Sequence, residues 1–301
     1  MPEQPLVSVI MNCFNGEKYL REALDSVLAQ TYTNWELIFW DNQSKDKSAE
    51  IFKKYNDPRC KYFFTPKHTL LSEARNCAIE YSTGELLAFL DVDDWWAPEK
   101  LEKQIPLFDD PKVALVYGNY CIHDQYSKLN KKRFSKVLPS GNMFKYLLKS
   151  YVVGLVTIVL RRDVYEKLDK KFDSRFPMSG DFDVVMRLAF SNYFAAVQQP
   201  IASYRWHGNN DSKLYNEKHI DELELWYEEM SANVNFSTIN ELLNVKININ
   251  FLKGKNSVEE RDFSSALKYF FLLPFCYHKL KLFAIIILPN FIVRYFSILK
   301  N

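Results

Sequence analysis

Between Leu6 and Tyr120, five short apolar runs alternate with four stretches of helical periodicity, and this alternation narrows the fold more than any other feature of the chain. The apolar runs Leu6–Met11, Trp35–Trp40, Cys60–Phe64, Leu86–Leu90 and Val113–Tyr120 read as strands. Between them Lys18–Gln30, Lys47–Tyr55, Leu70–Tyr81 and Pro98–Leu107 read as helices. In the first of these, Tyr19, Leu20, Ala23, Leu24, Val27 and Leu28 recur at helical spacing. Ser44 or Asp46 is placed to cap the second, and Thr83-Gly84 closes the third. Repeated β-α units predict a parallel sheet covered on both faces, with ligands bound outside the C-terminal strand ends.

The pattern loosens over Cys121–Pro200. Lys128–Lys136 holds five basic residues and little that is apolar, so it reads as a mobile, solvated loop. Val152–Arg161 reads as a strand, Asp181–Phe190 as a helix, and Ala195–Gln198 and Ala202–Trp206 as short strands. After Ser212 the character becomes helical, with Glu217–Met230, Asn240–Phe251 and Arg261–Leu273 followed by the apolar, aromatic and basic stretch Cys276–Lys300. The expected organisation is an α/β domain over 1–212 and a helical, amphipathic extension over 213–301.

Bulk properties exclude little but agree with this. Apolar residues at 48% and charged residues at 25% are the balance of a soluble globular protein, and a net charge of +2 gives no reason to expect nucleic acid as a partner. The five cysteines lack metal-ligand spacing and read as reduced, mostly buried thiols of a cytoplasmic protein. Met1-Pro-Glu-Gln-Pro lacks the basic start of a signal peptide, and Leu280–Leu299 is interrupted by Lys281, Pro289, Asn290 and Arg294, so no membrane span is expected.

Chemistry concentrates in four places. Phe89-Leu90-Asp91-Val92-Asp93-Asp94-Trp95-Trp96 ends a strand by placing three carboxylates on one loop beside two indoles. Folding gains nothing from three like charges so close, which points to a divalent cation serving a phosphate-bearing ligand. The alternative is a solvated acidic turn with Asp94 capping the next helix. After the first strand, Asn12-Cys13-Phe14-Asn15-Gly16 offers a flat ring for base stacking beside amide groups, or serves as a plain β-α turn. After the second, Asp41 and Asn42 stand where a base edge or a ribose hydroxyl is hydrogen-bonded, next to the capping residues Ser44 and Asp46. Ser179-Gly180-Asp181-Phe182-Asp183 puts a carboxylate at a helix start, as a general base or as a charge that favours the helix N-terminus. Downstream, Tyr204-Arg205-Trp206-His207 leads into a polar loop, where a lone histidine is more often structural than a ligand.

The order and spacing of these segments resemble the inverting glycosyltransferases of family 2, over about Leu6–Ser212. The matching residues are Val7–Ile10 through Phe14-Asn15-Gly16, Ala23–Tyr32, Asp41–Ser44 with Asp46, Ala74-Arg75-Asn76 with Gly84-Glu85, Asp91–Leu101, Asp181-Phe182-Asp183 with Arg187-Leu188-Ala189, and Tyr204–His207. The resemblance implies the GT-A fold, a Rossmann-like, mostly parallel mixed sheet flanked by helices, here with a helical C-terminal extension. It implies transfer of a sugar from a nucleotide-diphosphate sugar, a UDP-sugar first, to a hydroxyl of a glycan or glycolipid acceptor, in assembly of cell-surface polysaccharide, lipopolysaccharide or glycolipid.

By the same resemblance, Asp91 and Asp93 look like the D-x-D pair that touches ribose and the metal-diphosphate. Asp93 is then the first metal ligand, with Asp91 and His207 as further contacts to Mn²⁺ or Mg²⁺. Asn12, Phe14, Asn42, Arg75, Asp91 and Val92 match the nucleotide-sugar pocket, and Asp181 matches the general base. Two positions depart from the pattern. Asn42 stands where relatives carry a second acid, which leaves the nucleotide preference open. Gly180 stands where relatives carry Glu, which leaves Asp183 as an alternative base. The departures keep a catalytically inactive nucleotide-sugar-binding member in view. A sugar-phosphate nucleotidyltransferase would need a Gly-rich basic loop after the first strand, where only Gly16 and Lys18 stand.

In the tail, Leu267–Leu273 and Phe283–Ile298 mix aromatic and aliphatic residues with lysine and arginine. That mixture fits a helix pair lying on the inner face of a membrane, as a peripheral contact. It equally fits an appendage packed on the α/β domain or a dimer contact, and the oligomeric state stays open.

Overall fold

The computed structural model describes residues 4–208, 210 and 216–287. Its contacts divide the chain into two compact units, Met1–Phe144 with Val152–Asn210, and Lys145–Tyr151 with Asp211–Asn301.

The first unit opens with the strands β1 (Val7–Cys13), β2 (Trp35–Asp41), β3 (Cys60–Phe64) and β4 (Leu86–Phe89), joined by helices α1 (Leu20–Leu28), α2 (Ser48–Phe52) and α3 (Leu71–Glu80). All four strands run parallel, in the order β3-β2-β1-β4. Then follow β5 (Trp95–Trp96), α4 (Lys100–Gln104), β6 (Val113–Asp124), β7 (Asn130–Lys132) and β8 (Gly141–Asn142), and next in the chain α5 (Phe144–Lys149), which apart from Phe144 belongs to the second unit. The chain continues through β9 (Val159–Arg161), α6 (Arg162–Glu166), α7 (Gly180–Ser191) and β10 (Tyr193–Trp206). The described strands make one sheet, ordered β3-β2-β1-β4-β9-β6-β10-β5, with β7 paired to β6 and β8 to β10. β9 lies antiparallel between β4 and β6, while β10 returns parallel to β6, so the sheet is mixed.

Strand alternation sends Val7, Val9, Met11 and Cys13 to one face, where they pack with Leu20, Ala23, Leu24 and Val27 of α1, Ile51 and Phe52 of α2 and Leu101 of α4. Helix α3 meets β1 and β2 with its buried Ala74, Ala78 and Ile79. At the N-terminal ends of these strands the sheet buries Glu36. Its carboxylate accepts from Ser8 Oγ at 2.6 Å, Lys61 Nζ at 2.6 Å, both donors of Thr83 and the Gly84 N–H. Burial alone would raise this group, but those donors overcome it and hold the Glu36 pKa down to about 2.

Four expectations change in detail. The basic stretch Lys128–Lys136 is not a loop throughout, because Asn130–Lys132 pairs antiparallel with Cys121–His123 as an exposed hairpin strand. Val152–Arg161 is strand only over Val159–Arg161, preceded by a 3-10 turn at Leu155–Thr157. The two short strands near Pro200 are one, β10, whose register shifts at Pro200 take up the missing amide donor. Of the five thiols, all free, only Cys13 is buried.

The second unit contains α8 (Asn216–Ala232), α9 (Leu243–Glu259), α10 (Phe263–Leu272) and α11 (Tyr277–Ile287). Glu224 of α8 accepts from Lys246 and Lys253 of α9. Asp262 caps α10 by accepting from Ser265 N–H. Its core joins Phe251 and Val258 of α9 with Ala266, Leu273, Leu282 and Ile285. A Cβ on Gly254 would stand 2.6 Å from Leu282 Cδ2, so glycine here admits α11 against the α9 backbone. The apolar, aromatic and basic stretch Cys276–Lys300 is described as far as Ile287, and there it forms α11, which starts before the helix expected over Phe283–Ile298. The rest of the stretch, with most of Phe283–Ile298, lies outside the described residues.

Candidate active site

The turns after β1 and β2 are laced together before any ligand is considered. Asn15 N–H donates to Ser44 Oγ, Gly16 N–H to Ser48 Oγ and Glu17 N–H to Asp46 Oδ2, while Lys45 N–H and Lys47 N–H return to Asn15 and Glu17 side chains. Ser44 therefore does not cap α2: Lys47 holds the N-cap position without a side-chain bond, and only Asp46 reaches the helix, its Oδ1 accepting from Ser48 N–H at 3.0 Å. A Cβ on Gly16 would meet Val92 Cγ2 at 2.9 Å, so glycine lets the β1 turn lie against the acidic loop.

The sequence-predicted residues fall into two groups at the C-terminal strand edge. In the first, Asn12 is buried and its Nδ2 has no hydrogen-bond partner, a costly state for a buried donor. Phe14 is half exposed, its ring 4.3 Å from that of His68, and His68 Nδ1 lies 2.9 Å from Asn42 O. Asn42 uses its own amide within the protein: Nδ2 donates to Thr69 O at 2.8 Å, and Oδ1 accepts from Thr69 N–H at 3.0 Å. It therefore shapes the 65–70 loop that carries His68.

The second group surrounds Asp91–Asp94. Buried Arg75 reaches Asp91 at 3.1 Å, leaving 41% of the Asp91 side chain exposed. Desolvation raises the Asp91 carboxyl above the usual carboxylate range; Arg75 pulls it back, and repulsion from Asp93 and Asp181 pushes it up again. Asp93 Oδ2 lies 3.0 Å from His207 Nε2, and the His207 ring stacks on Tyr19 with centroids 5.2 Å apart. Asp94 is buried, and its desolvated carboxyl is pushed well up, with Asp93 repulsion added and the Arg205 N–H in partial compensation at 2.9 Å. Asp94 therefore ties the loop to β10 and does not cap a helix. Trp96 is core, donating to Val156 O, whereas Trp95 is partly exposed beside His123.

Asp181 sits in the first turn of α7, near enough for its charge to act on Asp91 and on Tyr120. Asp183 is held by Arg187 at 2.6 Å, which commits it to an ion pair within the helix. At Gly180 an added Cβ would make only ordinary contacts, 3.5 Å from Phe172 Cδ1 and Ser72 Oγ, so no clash demands glycine there.

Sequence reasoning left three neighbours unassigned. Arg205 donates to Asp93 O and to Glu22, and its guanidinium lies 4.6 Å over Tyr19 and 4.5 Å over Trp95. Tyr19 fixes itself by donating to Gln125 Oε1, and His68 backs Phe14. The quoted Tyr204–His207 motif carried Arg205; nothing in the sequence singled out Tyr19 or His68.

Among the described residues no three His, Cys, Asp or Glu side chains converge on one point as a ready-made cation site. Asp93 and His207 are the two that meet. One carboxylate with one imidazole is a donor set that suits Mn²⁺ or Mg²⁺ when phosphate oxygens complete the shell.

The family model for glycosyl transferase family 2 matches residues 8–169, which spans β1 through α6. The chain belongs to that family. It is 37% identical over 157 residues to the Escherichia coli UDP-Glc:alpha-D-GlcNAc-diphosphoundecaprenol beta-1,3-glucosyltransferase WfgD, covering 52% of this chain and 60% of that one. The chain thus spans about three fifths of that curated relative. Among solved structures, S. aureus TarS 1–349 in complex with UDP-GlcNAc superposes with a TM-score of 0.60 at 18% identity, covering 89% of this chain and 81% of that chain. The Pyrobaculum calidifontis mannosyltransferase PcManGT, in complex with GDP-Man and Mn²⁺, gives 0.63 at 14% identity, covering 90% and 75%. These likenesses establish the GT-A-type fold of this family 2 member.

Proposed function

We propose that this family 2 member is an inverting glycosyltransferase that moves a sugar from a nucleotide-diphosphate donor to an acceptor hydroxyl. The observation that carries the reading is the under-compensated charge of the acidic loop: three carboxylates within four residues meet Arg75, His207 and Arg205, the last through its backbone amide and its guanidinium charge, and two of them are raised all the same. The orphaned Asn12 Nδ2 supports a polar ligand at the same edge. Phe14 backed by His68 gives a stacking wall for a base, with Val92 and Asn42 as walls of the pocket. Arg75 steers Asp91 toward the ribose.

Asp93 and His207, with Asp91 beside them, would hold Mn²⁺ or Mg²⁺, which supplies positive charge against the departing nucleoside diphosphate. The protein's own part is positional. Arg205 and Asp94 fix the loop to β10, and Tyr19 orients the His207 ring. Asp181, in the first turn of α7 and outside the Asp183–Arg187 pair, takes the proton of the incoming hydroxyl, so a single displacement inverts the anomeric centre. A second carboxylate nucleophile is not required, unlike in retaining hydrolysis.

WfgD, by its name, uses UDP-Glc and a diphosphoundecaprenol-linked acceptor, and TarS binds UDP-GlcNAc. A UDP-sugar donor and a lipid-linked glycan acceptor are accordingly the first choice here, with the reaction at the cytoplasmic side of the membrane. The test is a thermal-shift screen of UDP-Glc, UDP-GlcNAc and GDP-Man with Mn²⁺, followed by nucleoside diphosphate release on addition of a GlcNAc-diphospho-lipid. A donor-specific rise in melting temperature and acceptor-dependent release are expected. No response to any activated sugar would overturn the reading.

A further inference from the structure

The outer face of the α10–α11 hairpin is built differently from the rest of the helical unit. Phe263, Leu267 and Phe271 recur every fourth residue along α10 and are all exposed, Phe271 at 74%. Phe275 in the connecting turn is 88% exposed, and Leu280 and Phe283 continue the apolar face along α11. These side chains are not a loosened core, because the inner faces already bury Ala266, Leu273, Leu282 and Ile285 against α9. An apolar face of this extent marks an interaction surface.

Charge says which kind. From Phe263 to the last residue the sequence has five basic residues and no acidic one, whereas the rest of the chain carries 34 basic against 37 acidic. Lys268 and Lys281 are exposed beside the apolar face. No described helix is long and apolar enough to cross a membrane, and α10 and α11 have 10 and 11 residues. Short helices with aromatic and aliphatic residues outward and lysines at the margin lie in the plane of a bilayer interface, and positive margins favour anionic headgroups. A second copy fits less well, since a two-fold contact would bring two acid-free, positive faces together.

We propose that the outer face of α10 and α11 docks the protein on a bilayer rich in anionic phospholipid. The inference stands on this surface alone and does not require the transfer reaction.

The test uses the full chain and vesicles of phosphatidylglycerol and phosphatidylethanolamine, with phosphatidylcholine vesicles as the neutral control and neither sugar nucleotide nor glycan present. Flotation with the anionic vesicles is expected, weakened by raised salt and much reduced on the neutral ones. The double variant Phe271→Ser/Phe275→Ser should float at least about tenfold less, with an unchanged melting temperature, because both side chains are on the outside. Failure of the full chain to float with anionic vesicles overturns the proposal, as does equal flotation of a folded double variant. So does a dimer in sedimentation velocity that the same two substitutions dissolve without any vesicle binding. Because no substrate is present, a negative result here leaves the proposed transfer reaction standing.

Discussion

Glu36 and the Asp91–Asp94 loop lie at opposite ends of the same parallel strands, and they carry their charge on opposite terms. Glu36 is buried and surrounded by five donors from four residues, so its carboxyl is held down to about 2. At the other end, Asp91 and Asp94 are raised because desolvation and mutual repulsion outweigh the Arg75 pair and the Arg205 amide. One end has its charge completed by the fold. The other keeps charge in excess of what the fold supplies, and such a surplus is where a cationic ligand gains most. On that difference we propose that Glu36 is a structural carboxylate and that the acidic loop is directed at a ligand.

Substitutions at the two ends should therefore fail in different ways. The largest effect is expected at Asp181: Asp181→Asn should lower turnover about 10²–10⁴-fold while donor binding, read by calorimetry, is unchanged. Full turnover would return the base role to another group. Asp93→Ala should remove metal-assisted donor binding and cut transfer by a comparable factor, with melting temperature in the absence of ligand shifted by only a few degrees.

Glu36→Gln should do the reverse, costing roughly 3 kcal/mol of stability with specific activity of the folded fraction retained. The pH dependence follows the same sign. A carboxyl lowered from 4.5 to about 2 contributes stability that is full above its unfolded value and is lost as pH falls toward 2. Denaturant midpoints measured from pH 6 down to pH 2.5 should fall in the wild type and be flatter in Glu36→Gln. The smallest effect is expected for Asp94→Asn, which keeps an acceptor for the Arg205 amide and removes a buried charge. Without added metal its melting temperature at pH 8 should rise by a few degrees, about 1 kcal/mol, and a clear fall would show that Asp94 is fully compensated.

How much of this was legible in the sequence depended on whether the signal was local. The first four strands and α1–α3 declare themselves by period, and the predicted ranges differ from the observed ones only at their ends. Strand β7 was not legible because Asn130–Lys132 holds no apolar residue, and backbone pairing to β6 alone makes it a strand. Strand β10 read as two pieces because Pro200 interrupts its pattern, although register shifts absorb the break.

In the site, the acidic loop and Asp181 were legible as clustered or helix-starting charges, each with a structural alternative beside the chemical one, and of the loop acids Asp94 turns out to tie the loop to β10. The Asp183–Arg187 pair was legible in principle as an i,i+4 spacing, and it is the reason Asp181 is the base in the mechanism we propose. Arg205 was not. Its partners Glu22, Asp93 and Asp94 lie more than a hundred residues away, and only the closed sheet brings them together. Likewise the use of the Asn42 amide on Thr69 depends on how the loop after β3 folds back, which no local pattern encodes.

Surplus carboxylate charge at the C-terminal strand ends should bind a cation together with a sugar nucleotide. Calorimetric titration of the donor found by thermal shift, with and without Mn²⁺, measures this directly on the wild type and on Asp93→Asn. Affinity at least about tenfold tighter with Mn²⁺ in the wild type, and the same with or without it in the variant, is the predicted result. Equal wild-type affinity in the presence and absence of the metal would contradict it.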